Sequence, residues 1–274
     1  MSSDVRIADF KNPPIAEVVL GTQFERVPGL SSAFQGLFWS QVRDDYPTAQ
    51  DAMPLPLVLE SSESDGVPPL QNILGALNLG GAPAVPRVFL LNQAGQRLIQ
   101  LQQDRFHHNW RKTGSDGVYP HYEEIRDAFV QTWSKFASFC ETEGLARPRV
   151  RQYELTYVNH AVDGETWSAN AGLKDIFPWF APTNPYTGDG EGGFGFRWTV
   201  PECRGRLHMS ARMARRNADN RKLVVFEFTL RGAPENPGSD VDLTMWLDAA
   251  RKVIVRSFLH LTSEKARLKW GELK

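Results

Sequence analysis

Residues 100–112, QLQQDRFHHNWRK, put two histidines, two arginines, three glutamines, an aspartate, an asparagine and a tryptophan into one short run. Such a run fits a catalytic centre, a surface that reads a ligand by hydrogen bonding, or the wet side of a β-sheet. On a strand, successive side chains point to opposite faces. Phe106, His108 and Trp110 then share one face, and Arg105, His107, Asn109 and Arg111 share the other. The adjacent histidines therefore cannot chelate one metal together. The first set suits a core. The second set suits an open face, to which Gln100 and Gln102 of the preceding strand add. That polar row can bind a ligand, or it can be the solvated face that antiparallel sheets commonly keep.

A second candidate lies in RGRLHMSARMARR. Alternation turns Leu207, Met209, Ala211 and Met213 inward and Arg206, His208, Ser210 and Arg212 outward. On the neighbouring strand Phe194, Phe196 and Trp198 point in and Arg197 points out. Arg197, Arg206 and Arg212 on one face would form a basic stripe, suited to phosphate or carboxylate. Nucleic-acid binding through Arg206 and Arg212 would be strongly salt-dependent. Residues 204–222 carry seven Lys/Arg against Asp219 alone. Charge is uneven overall: residues 1–146 hold 11 Lys/Arg and 17 Asp/Glu, residues 147–274 hold 20 and 15. The halves can neutralise each other within a molecule or across a dimer. No RRM, KH or helix-turn-helix signature supports a nucleic-acid reader.

Other chemistry lacks a signature. The six histidines show no H-x-x-x-H spacing or cysteine pairing, so no metal site and no cofactor are expected. There is no G-x-S-x-G elbow, P-loop or G-x-G-x-x-G, and no catalytic residue is nominated. GDGEGGFGF precedes a strand, so it lacks the helix N-terminus that favours phosphate. Cys140 sits on the apolar side of a helix and reads as a buried structural thiol. Cys203, with Arg204 and Arg206 nearby, could have a lowered pKa but more simply is an inert loop cysteine. With two cysteines, no apolar leader and no membrane-length apolar run, the chain reads as a soluble cytoplasmic protein.

The elements that must hold these residues follow from periodicity. Ile15–Val27 alternates and is a strand. A helix carries Phe34, Leu37, Phe38 and Val42 after a cap at Ser31 or Ser32. Residues 47–86 are rich in Pro, Gly and Ser, with a strand at Leu55–Glu60 and a mobile loop around SSESDGVPP. PRVFLLNQAGQRLIQLQ is a hairpin turning at Asn92–Gly95, and Arg105–Arg111 is the next strand. Tyr119–Glu143 is a helix with Tyr122, Ile125, Phe129, Trp133, Phe136 and Cys140 at three-four spacing, closed by Gly144. RVRQYELTYVNHA is a strand, a short helix spans Ala169–Phe177, and PTNPYTGDGEGG is a long loop. Strands follow at Phe194–Val200, Gly205–Ala214 and Lys222–Arg231. A helix spans Asp242–Phe258, and a last helical turn follows a Thr262 cap.

The expected architecture is one α+β unit over residues 1–274, a curved, mainly antiparallel sheet with helices on one face. Its halves, 10–146 and 147–260, repeat an order of elements, with a helical turn at 261–274. A saddle like the TATA-binding-protein fold is the analogy, and fold does not fix function.

NPPIAEVVLGTQF, RLIQLQQDRFHHNWRK with YPHYEEIRDAFVQTW close behind, YELTYVNH and FLHLTSEKARLKW have a joint resemblance. They resemble a sporadically distributed bacterial family of similar length with no assigned activity. The resemblance covers most of the chain and supplies no catalytic residues. It implies a bacterial accessory protein, of a kind carried on mobile elements such as defence or toxin–antitoxin modules. The leading expectation is a non-enzymatic interaction protein that binds a protein partner or a second copy with its open face. Anionic-ligand or nucleic-acid binding at the arginine stripe is the alternative. A hydrolase or nuclease with non-contiguous catalytic residues is the third.

Overall fold

A computed structural model of the chain describes residues 9–60, 85–114, 117–169, 172–180 and 192–273. Pro13 and Pro14 bar a helix before β2 (Ile15–Phe24). There follow α1 (Ser32–Val42), β3 (Thr48–Ala52), β4 (Arg87–Leu91), β5 (Arg97–Gln102), β6 (Arg105–Arg111) and α2 (Tyr122–Thr142). The second half runs β7 (Val150–Val162), β8 (Gly193–Val200), β9 (Gly205–Arg215), β10 (Lys222–Gly232), α3 (Asp240–Leu261) and α4 (Glu264–Lys269). Two short strands, β1 (Asp9–Phe10) and β11 (Glu272–Leu273), pair and tie the ends of this range together.

The nine other strands form one antiparallel sheet in the order β3-β4-β5-β6-β2-β7-β10-β9-β8. Both halves run from the central β2–β7 pair outward to an edge. The likeness is one of strand order and does not establish a duplication. Among the described residues the second half has one strand fewer, and the 3-10 turn Leu173–Asp175 stands between β7 and β8.

One face of the sheet is covered by helices. Even-numbered β2 and β6 positions point there, and Val18, Leu20, Phe24, Phe106 and Trp110 are buried. Phe106 stacks on Phe136 of α2 at 5.3 Å and meets Trp133 edge-on at 5.8 Å. Such ring pairs add about 0.5–1.5 kcal/mol beyond their buried area. In the second half Phe226 stacks on Phe258 of α3 at 6.2 Å and on Trp270 at 5.9 Å. His108 shares this core and bonds the Tyr46 hydroxyl at 2.8 Å.

Several expectations need correction. Leu55–Glu60 forms no strand. Pro54 and Pro56 lack N–H donors and cannot complete a ladder. The edge strand is β3 instead, whose TAQDA sequence lacks apolar alternation. Of the short helix expected over Ala169–Phe177, the described residues from Gly172 on form a 3-10 turn at Leu173–Asp175 rather than an α-helix, and Gly172 takes φ 67°. α2 starts at Tyr122 rather than Tyr119, because Pro120 precedes His121 at φ 61°. The cap of α4 is Ser263, whose Oγ accepts from Ala266 N, not Thr262. Leu37, Phe196 and Trp198 are exposed rather than inside. The SSESDGVPP and PTNPYTGDGE segments lie outside the described residues.

Candidate functional site

The face opposite the helices is organised by register. Four rungs cross it. Gln102, Arg105, Gln23 and Gln152 lie side by side on β5, β6, β2 and β7. The next rung holds Gln100, His107, Gly21, Glu154, Arg231 and Arg206 on β5, β6, β2, β7, β10 and β9. The third holds Asn109, Val19, Thr156, Thr229, His208 and Arg197. Arg111, Glu17, Val158, Glu227 and Ser210 form the fourth.

The residues expected to face away from the core do so, but the centre of the face is not wet. Gln102, Arg105, His107 and Asn109 are buried. Part of the cover is residues 53–60, which cross the face as an extended strap. Gln102 accepts from Leu55 N and donates to Leu55 O, both at 2.8 Å. Gln152 does the same one step on, donating to Val58 O at 3.0 Å and accepting from Glu60 N at 2.7 Å. Between them Arg105 donates to Pro56 O at 2.9 Å. The strap ends with Glu60 against His208 Nε2 at 2.7 Å and Arg231 Nη1 at 3.7 Å. It thus touches β5, β6, β7, β9 and β10.

Beneath the strap lies a charged centre. Glu154 accepts from Arg231 Nε at 2.6 Å and from Gln23 Nε2 at 3.2 Å. Burial alone pushes its pKa up, but Arg231, His107 and Arg105 outweigh burial and hold it at about 2. The His107 ring packs against Gly21, where a Cβ would sit 2.1 Å from it. Burial, helped by Arg105, Arg231 and Arg87, lowers His107 to about 4 despite Glu154, so the imidazole is neutral at pH 7. Its Nε2 has no hydrogen-bond partner among the described residues. Asn109 is engaged within the sheet, accepting from Gln100 Nε2 at 2.9 Å and donating to Glu17 Oε1 at 2.5 Å.

The remaining expected site residues sit elsewhere on the same face. Arg111 ties down the hairpin turn through Gly95 O at 2.7 Å. Arg197 and Arg212 are exposed on β8 and β9, and Arg206 is half-buried beside Arg231. A depression of about 490 Å³ lies next to them, lined by Arg197, His208, Ser210, Glu227, Thr229 and Arg231. Part of the basic excess is neutralised at the β9–β10 turn, where Arg216 and Arg221 bond Asp219 and Glu165. Cys203 is buried, and burial lifts its thiol to about 12, opposite to the lowering that nearby arginines suggested. Among the described residues no group of three or more His, Cys, Asp or Glu could hold a metal, and no helix is long and apolar enough to cross a membrane.

Sequence reasoning missed Gln23, Gln152, Glu154, Arg231 and Glu60. Carrying the alternation along RVRQYELTYVNHA would have placed Gln152 and Glu154 on this face. No periodicity could have brought Glu60 there. No protein-family profile matches the chain, and no curated protein matches it.

Proposed function

We propose that this chain is a non-enzymatic interaction protein whose polar sheet face holds an extended segment of a protein partner. The observation that carries this reading is the pair Gln102 and Gln152. Each satisfies one N–H and one C=O of an extended backbone, as a neighbouring strand would. Backbone bonding of this type gives affinity without demanding one sequence.

Five backbone hydrogen bonds hold the strap, each contributing about 0.5–1.5 kcal/mol, few enough for a competing segment to replace it. A variant with residues 53–60 replaced by Gly and Ser should bind the labelled peptide MPLPLVLE saturably, and Gln102→Leu with Gln152→Leu should abolish it. A strap-replaced protein that ignores the peptide removes the reading.

A second reading, binding of an anionic ligand or nucleic acid, is favoured by Arg197, Arg206 and Arg212 sharing this face. Binding of single-stranded DNA at low salt that is lost in Arg206→Ala/Arg212→Ala would support it. No binding by the parent protein would dismiss it.

A further inference from the structure

We propose that the face selects partner segments carrying an acidic residue, and that Glu60 of the strap occupies the place of that residue. This rests on the peptide-binding reading above and names the class of peptide.

Gln152 bonds the carbonyl of Val58 and the N–H of Glu60, residues two apart, which fixes an extended backbone at that point. With the backbone fixed, the side chain of the second residue has one direction to go. It meets side chains that rise from the paired strands β9 and β10, His208 Nε2 at 2.7 Å and Arg231 Nη1 at 3.7 Å. Arg206 adds positive potential, and only 12% of the Glu60 side chain is exposed. Burial works to raise its pKa, yet His208, Arg231 and Arg206 outweigh burial and lower it. A neutral side chain there would be cheaper to bury but would forgo the charge-assisted contacts that, for Glu60, outweigh the burial. Arg231 presents Nε to Glu154 and Nη1 to Glu60, so one guanidinium serves both a fixed carboxylate and an incoming one. Arginine suits this double role because its donors diverge in one plane. The 490 Å³ depression beyond, with Arg197 on its wall, has room for the chain that follows the acid.

The experiment measures fluorescence anisotropy of two capped, labelled peptides, MPLPLVLE and MPLPLVLQ. They are titrated with the full-length wild-type chain, Glu60→Gln, and Glu60→Gln/His208→Gln. In the Glu60→Gln chain the strap has lost its charged anchor while the sheet face is intact. That chain should bind the glutamate peptide about tenfold more tightly than the wild type does, and about tenfold more tightly than it binds the glutamine peptide. Adding His208→Gln should reduce the preference to less than about threefold. Equal binding of the two peptides overturns acid selection but leaves peptide binding standing. An undiminished preference in the double variant overturns the assignment to His208. Failure of Glu60→Gln to bind either peptide up to about 1 mM, a free energy of about −4 kcal/mol, removes the peptide reading itself and this inference with it.

Discussion

Lowering the pH from 7 to 5 should cost this protein about 4 kcal/mol of stability through two histidines. His107 and His108 are both buried, and burial lowers them from an ordinary 6.5 to about 4 and about 3. Above pH 6.5 both are neutral in the folded and unfolded chain, and they add no pH dependence. Between 6.5 and 4 the unfolded chain binds two protons that the folded chain refuses, so stability falls as pH falls. Each site then contributes up to about 1.4 kcal/mol per pH unit, or about 2 kcal/mol between pH 7 and pH 5. Two sites remove a large share of the 5–15 kcal/mol typical of a domain. Glu154 adds little in this window, because it changes protonation only between its ordinary 4.5 and about 2, while Glu17 and Asp104, raised by burial, offset part of the loss. Urea unfolding followed by tryptophan fluorescence at pH 7, 6, 5.5 and 5 measures the slope. His107→Gln and His108→Gln should each lower the loss to about 2 kcal/mol. Equal slopes in the parent and both variants would refute the assignment.

Three further outcomes follow from the same geometry. Gly21→Ala puts a methyl 2.1 Å from the His107 ring, in the middle of two ladders, and should cost about 1–3 kcal/mol. Urea denaturation should show much of that cost gone in Gly21→Ala/His107→Ala. Arg231→Met strands the buried Glu154 carboxylate and should cost about 3–5 kcal/mol, with partial recovery on adding Glu154→Gln, again read by urea denaturation. Cys140 and Cys203 are buried with thiols lifted to about 12, so neither should react with a thiol reagent at pH 8 until the protein unfolds.

What the sequence disclosed was governed by local periodicity. The alternation in RFHHNWR correctly separates Phe106, His108 and Trp110 from Arg105, His107, Asn109 and Arg111, since period two is a backbone property. The NQAG turn was legible because Asn92 and Gly95, at φ 66°, supply the turn chemistry themselves. The strap was not legible. Leu55, Leu57 and Leu59 alternate as a strand would, but two prolines keep the segment out of the ladder. Its partners, Gln102 and Gln152, lie 47 and 92 residues away. Whether the polar row would be wet or covered was therefore a question of tertiary contact, and no local pattern carries it. The same holds for the charge imbalance between halves. Glu60 of the acidic half meets His208 and Arg231 of the basic half, a pairing only the folded sheet brings about.

The most direct test of a peptide-holding face is amide hydrogen exchange at Glu60, measured by NMR in the intact chain with and without excess MPLPLVLE peptide. Its N–H is bonded to Gln152, so it should exchange about tenfold or more slowly than in an unstructured chain. Added peptide should remove that protection by taking over Gln152. Protection that persists with peptide bound, or its absence in the free chain, would contradict the account.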